Sequence, residues 1–278
     1  MNQYNQIRNT LIEDTQSLLD LEKFYFDKIF ETLLLNAPAI KQDFDKTFEI
    51  KDFWYRYAPR QRGHKPRGNA LPWGEVGEKV LDAYLYKSIL SCMPNVRFLG
   101  LPYGHDLRFV TEDAFVHLDI KSTGPTDNTN EVVSSPNQVS GDGIFCDDFG
   151  VKNTTILVTG TSRDMQFQPE LPPFYIIDNK TFVTLTFYLK CVYKVIEIGN
   201  QPLDYLELIC VPNGLLMFDS INYAQNTKGV LTPGKDITTS AHKRTRIKLD
   251  PLSEIADWRC KKIVFSDSGI IVRSRKEL

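Results

Sequence analysis

The stretch GHDLRFVTEDAFVHLDIKSTGP, residues 104–125, places a carboxylate and a lysine one residue apart, at Asp119 and Lys121. Successive side chains of a strand point to opposite faces. Over 114–121 that separates an apolar face, Val116, Leu118 and Ile120, from a polar one, Phe115, His117, Asp119 and Lys121. If Glu112-Asp113 is the tip of a tight hairpin, Thr111 faces Ala114, and the same register sets Asp106 opposite Asp119. Their Cβ atoms would then lie about 4.5–5.5 Å apart. Two carboxylates that close repel each other unless a cation sits between them. A hard divalent cation such as Mg²⁺ meets that need with one or two carboxylates, its remaining positions being filled by water.

Lys121 would lie about 7 Å along from Asp119, at a strand rise of about 3.3 Å per residue. From there its ammonium group could hold or polarise a water that attacks phosphorus. Glu78, on a preceding helical segment, is a candidate outer-sphere or second-metal carboxylate. This set suits metal-assisted phosphodiester hydrolysis. Plainer readings stand beside it. An Asp-x-Lys pair is often a charged edge strand, Asp106 a turn residue, Glu78 a helix surface charge, and His117 a packed neighbour. Glu-Asp is also not a favoured two-residue tip, and a one-residue slip would undo the pairing.

The elements that must position these groups read as helices first and strands after. Leucines and phenylalanines recur at helical spacing over 9–36. Residues 74–90 carry a second apolar stripe through Val76, Val80, Leu81, Tyr84 and Ile89. From 96 onward the pattern turns to strands, at 96–99, 107–111, 114–121, 155–158, 174–177, 182–190, 206–211 and 244–249. No linker composition divides the 278 residues, so the expectation is one α+β domain, a central mixed sheet flanked by helices.

Composition bounds the partners. A formal net charge of −2 argues against a whole surface that binds polyanions and leaves room for local basic patches. Two are visible. WYRYAPRQRGHKPRG carries Arg56, Arg60, Arg62, Lys65 and Arg67 without an acid. In AHKRTRIK strict alternation sets Arg244, Arg246 and Lys248 on one face, against Thr245, Ile247 and Leu249. Arginine forks at strand spacing suit guanine edges in a major groove, and lysine suits phosphate; an edge strand guarded by charge is the plain alternative. Five scattered cysteines form no CxxC pair and read as reduced thiols of a cytoplasmic protein. No signal peptide or membrane-spanning run is visible.

Six ordered blocks, PWGEVGEK, LPYGHD, LDIKSTGPTD, SPNQVSGDG, VPNGL and PGKD…KRTR, together resemble the BglI-type type II restriction endonucleases. The resemblance runs from about Trp54 to Asp250. It implies the PD-(D/E)xK nuclease fold in its EcoRV-like branch. It also implies a homodimer that cuts double-stranded DNA at an interrupted palindrome with Mg²⁺, leaving 5′-phosphate and 3′-hydroxyl ends. A cognate DNA methyltransferase is expected in the same system, without direct contact. Carried over by position, Asp106, Asp119 and the Ile120 carbonyl would bind metal, and Lys121 would be the active-site lysine. Asp127, Lys235, Asp236, Lys243, Arg244 and Arg246 fall in the DNA-facing blocks. The span between the two aspartates is shorter here than in the family. Ile237 stands where the family has an acid that can accept from a cytosine amino group, so the target sequence does not carry over. The other readings are a repair or recombination nuclease of the same fold and a non-catalytic DNA-binding protein.

Overall fold

The computed structural model describes residues 2–46, 73–93, 95–99, 106–147, 150–196, 201–234 and 243–277. The basic loop expected at 53–70, residues 101–105, and Lys235 and Asp236 lie outside the described residues. Two helices, α1 (Gln3–Glu13) and α2 (Thr15–Lys46), open the chain, and α3 (Trp73–Cys92) follows. Short β1 (Arg97–Phe98) precedes β2 (Leu107–Val110), β3 (Ala114–Thr123) and β4 (Glu131–Ser134). Two small hairpins come next, β5 (Gly143–Cys146) with β6 (Gly150–Asn153) and β7 (Ile156–Val158) with β8 (Met165–Phe167). Then come β9 (Phe174–Ile177), β10 (Lys180–Tyr193), β11 (Leu203–Val211), α4 (Ile221–Asn226), β12 (Leu231–Pro233) and β13 (Thr245–Lys248). Helix α5 (Leu249–Ile255) and the hairpin β14 (Cys260–Ser266)–β15 (Gly269–Ser274) complete it.

The main sheet runs β1-β2-β3-β10-β11-β14-β15, with β9 also on β10. The β3–β10 pair is parallel and the other pairs are antiparallel, so the sheet is mixed, as expected. A three-stranded sheet, β12-β13-β4, lies apart from it. Among the described residues no helix is long and apolar enough to cross a membrane.

Strand parity sets the two sides of the sheet. On β10, Leu185, Phe187, Leu189 and Cys191 face α2 and α3, in one core with Val116, Leu118 and Ile120 of β3 and Phe26, Ile29, Leu81 and Leu85 of the helices. Tyr188 of β10 and Ile209 and Val211 of β11 face the other way. They share a second core with Val132 of β4, Phe167 of β8 and Ile247 of β13. Burial on both faces is why β10 carries apolar side chains at successive positions, Phe187, Tyr188 and Leu189.

Three expectations change. The helix read over 9–36 is two helices broken at Asp14, whose carboxylate accepts from Ser17 N (3.1 Å) and Ser17 Oγ (2.6 Å) and so caps the start of α2. The second face of β3, read as polar, is buried: Phe115, His117 and Asp119 are 3%, 0% and 4% exposed. Phe115 stacks on His117 and meets Tyr175 of β9, while residues after β4 cover Asp119, so non-local elements close that face. Arg244 and Leu249 fall outside β13, because Leu249 already begins α5. Strands β4, β5, β6, β8, β12, β14 and β15 were not expected; most are only three or four residues long, too short to show alternation.

One buried ion pair fastens α2 to segments far along the chain. Glu22 accepts from Arg259 Nη2 (2.5 Å) and from Asn213 N (2.5 Å), and Arg259 also donates to Tyr223 Oη (2.8 Å). Glu22 and Arg259 are 1% and 0% exposed. Removing one partner of such a pair strands a buried charge and costs about 3–5 kcal/mol. Glu22→Leu is therefore expected to lower unfolding stability in urea by about that much, and Glu22→Leu with Arg259→Met to recover most of it. Equal stability of Glu22→Leu and the wild type would contradict this.

Candidate active site and nucleic-acid interface

The β2–β3 hairpin has the register that the sequence implied. Leu107 pairs Leu118, Arg108 pairs His117, Phe109 pairs Val116 and Val110 pairs Phe115. Thr111 N donates to Ala114 O at 2.9 Å, which makes Glu112-Asp113 the tip. This tip is stabilised from outside. The Tyr25 hydroxyl of α2 donates to Asp113 Oδ1 (2.6 Å) and lies 2.7 Å from Thr111 Oγ1. A helix thus supplies what the turn chemistry lacks.

Asp106 precedes β2 by one residue, and its Oδ2 accepts from Ile120 N at 2.7 Å. In an extended strand the N–H and C=O of one residue point to the same side, so the Ile120 carbonyl faces the Asp106 edge as well. Asp119 Oδ1 accepts from Gln138 Nε2 at 2.5 Å, and Asp119 Oδ2 forms an ion pair with Lys121 Nζ. Burial pushes the Asp119 carboxyl up to about 7; Lys121 draws it down, and Asp106 and Glu78 raise it further. Asp106, Asp119, Lys121 and Glu78 are thereby brought within electrostatic reach at one end of β3. His117 is no part of that group: it is fully buried, and burial, then Arg108, drives it down to about 3, so it stays neutral.

Helix α3 reaches this end of the strand because Gly77 has no side chain. A Cβ there would lie 2.8 Å from Ser122 Oγ of β3 and 3.1 Å from Cys191 Sγ of β10. One turn beyond Glu78, Asp82 is also raised, first by burial and also by Asp106. Asp82 went unread in the sequence, although its i,i+4 spacing from Glu78 puts both on one helix face.

The donor set fits a hard divalent cation. Asp119 carries a charge that burial disfavours, and a cation beside it would offset that cost. Oxygen donors of Asp106 and Ile120 share the same edge. Among the described residues no three His, Cys, Asp or Glu side chains gather closely enough to form a cage. Mg²⁺ needs only one or two protein carboxylates.

The basic strand lies on the opposite face of the main sheet from α2 and α3. In β13, Thr245 and Ile247 are buried, and Arg246 and Lys248 alternate with them, as the sequence pattern required. Both basic side chains form ion pairs with Glu131 of β4. Lys243 and Arg244 are exposed just ahead of the strand, and Arg244 O accepts from Gly234 N at 2.9 Å. Asp127 is exposed in the turn after β3, where its Oδ2 accepts from Gly124 N at 2.9 Å. Sequence reasoning missed Glu131, which pairs with Arg246 and Lys248, and Gln138, which donates to Asp119; Gln138 sits in the SPNQVSGDG block, and that block was its one signal.

The family model for restriction endonuclease BglI matches residues 1–263. The type II restriction enzyme BglI of Bacillus subtilis is 31% identical over 276 residues, which span 91% of this chain and 92% of that protein. The crystal structure of restriction endonuclease BglI bound to its DNA recognition sequence superposes with a TM-score of 0.83 at 29% identity, covering 94% of this chain and 95% of that one. Tetrameric SfiI bound to cognate DNA gives a TM-score of 0.63 at 14% identity over 93% and 94% of the two chains, a likeness of fold alone.

The raised carboxyl has a signed consequence for the metal-free protein. Asp119 has an ordinary value near 3.8 and a folded value near 7, so the native state holds its proton more tightly. Its contribution to stability then falls as pH rises from about 4 to about 7. With chelator present, Asp119→Asn is expected to raise the thermal midpoint strongly at pH 8 and only by a smaller amount at pH 5. An equal effect at both pH values would contradict the assignment.

Proposed function

The chain belongs to the restriction endonuclease BglI family, and we propose from that membership and the hairpin geometry that it cuts duplex DNA with Mg²⁺ at an interrupted palindrome. It is a type II restriction enzyme, a site-specific deoxyribonuclease, and enzymes of this kind use a divalent metal ion. The observation that carries the site assignment is the Asp106 carboxylate on the Ile120 amide, next to the Asp119–Lys121 pair.

Asp106, Asp119 and the Ile120 carbonyl would hold Mg²⁺. The ion, when bound, would make a coordinated water more acidic and offset charge developing on the phosphate. Lys121 positions the attacking water by hydrogen bonding and stabilises the negative charge that grows on the phosphate oxygens. Glu78 adds an outer-sphere carboxylate that orders water around the site. In-line displacement then leaves 5′-phosphate and 3′-hydroxyl ends.

Arg244 and Arg246 read bases from the basic surface, and Asp127 and Lys243 join them; Lys235 and Asp236, outside the described residues, are assigned to the same DNA-reading set by their position in the sequence. A homodimer with two-fold symmetry sets one such surface on each half-site. Ile237 stands where the family pattern has an acid, so this chain is expected to read its own target. A partner methyltransferase would protect the same site in the cytoplasm without touching this chain.

Digesting plasmid DNA with Mg²⁺ is expected to give discrete fragments whose sequenced ends define site, spacer and stagger. A smear would instead indicate a nuclease without sequence preference. Asp119→Ala is expected to bind the same site and not cut it; cleavage by that variant would refute the role given to Asp119. Arg246→Ala is expected to weaken binding by about 1–3 kcal/mol and to relax the site at one base position.

A further inference from the structure

We propose that Gln138 is a positioning residue for Asp119, fixed in place by β4, the strand that pairs with the basic strand β13; this rests on the nuclease reading above. Gln138 lies in a single 3-10 turn, Pro136–Gln138, directly after β4. Gln138 is 7% exposed, and its side-chain amide is used at both ends. Nε2 donates to Asp119 Oδ1 at 2.5 Å, and Oε1 accepts from Ser135 N at 3.0 Å. The second bond settles which way the amide points, so the donor end faces the carboxylate. One Asp119 oxygen is therefore held by a neutral amide from outside the main sheet, and the other faces Lys121.

What holds Gln138 is equally specific. Tyr188 pairs with Asp119 in the parallel β3–β10 ladder. Its hydroxyl contacts Ser134 Oγ, the last residue of β4, and lies 3.3 Å from Gln138 O. Two residues on, Lys190 pairs with Lys121 and donates to Thr129 O (2.5 Å) and Glu131 O (3.2 Å) at the other end of β4. Strand β4 is thus clamped at both ends by β10 side chains. It pairs with β13 from Ser134–Thr245 to Glu131–Lys248. Glu131 holds Arg246 and Lys248 at one end, and Gln138 holds Asp119 beyond the other.

Hydrogen-bond partners of metal-binding side chains commonly set metal affinity, and losing one costs about 10–100-fold. A Gln138→Met variant keeps the volume and loses the donor. We measure two quantities on a duplex that the wild type cuts. One is the Mg²⁺ concentration for half-maximal cleavage. The other is the tightening of DNA binding by Ca²⁺, followed by fluorescence anisotropy. Both are expected to shift to about 10–100-fold higher ion concentration in the variant, while DNA binding in chelator stays as in the wild type. Unchanged ion dependences would overturn the proposal, and so would a loss of chelator-phase binding with wild-type ion dependences. If Gln138→Met fails to fold, Gln138→Glu is read by the same criteria; it keeps an acceptor for Ser135 N and cannot donate to Asp119 when ionised. A wild-type protein that neither cuts DNA nor responds to Ca²⁺ would overturn both this and the nuclease reading. A responsive wild type with an indifferent variant overturns the Gln138 role alone.

Discussion

The pairing register of β2 on β3 is the constraint on which the rest depends. It sets Asp106 beside Ile120 and Asp119, and a slip of one residue would move the whole polar set of β3 to the helix side. Two forces hold it. Val116, Leu118 and Ile120 must face the core made by α2 and α3, which fixes parity. The Tyr25 hydroxyl fixes the tip, where the backbone alone favours neither register strongly. The acid-rich first helices, which suggested no function in the sequence, are therefore part of the positioning of the site. Glu22 serves the same end by tying α2 to Asn213 and Arg259.

Burial then gives the site its chemistry. A carboxylate on an exposed edge strand would be ionised and indifferent to its neighbours. Asp119 instead lies within the sheet beside Tyr188 and under Gln138, where its charge is costly and where Lys121 and a divalent cation are its natural compensations. The same low polarity strengthens each interaction made there. Tyr188 and Lys190, which stand beside Asp119 and Lys121 on the next strand, join this region to β4, and β4 joins it to the basic strand β13. The carboxylate cluster and the basic face share one scaffold strand and need no flexible linker between them.

Much of this was legible in the sequence where it depended on local period. Alternation over 114–121 and one assumed turn gave the hairpin register, and alternation over 244–249 gave the face shared by Arg246 and Lys248. The family resemblance added the fold and the metal-binding assignment, which no single Asp-x-Lys pair could support. What stayed illegible depended on distant chain. The second face of β3 is closed by β9 and by Gln138, so its polar letters look solvent-facing when read alone. Gln138 is 19 residues from Asp119 in a turn with no period to read, and Glu22 is 237 residues from Arg259. Glu131 sits in a four-residue strand, too short to show which face it shares with Arg246 and Lys248.

Anomalous diffraction from Mn²⁺ in crystals of the Lys121→Ala variant with duplex DNA tests the central claim most directly, because that change should leave the carboxylates in place while slowing cleavage. The account predicts an anomalous peak bonded to an oxygen of Asp106 and an oxygen of Asp119, next to the Ile120 carbonyl. A peak elsewhere on the chain, or the two carboxylates occupied with no metal between them, would contradict it.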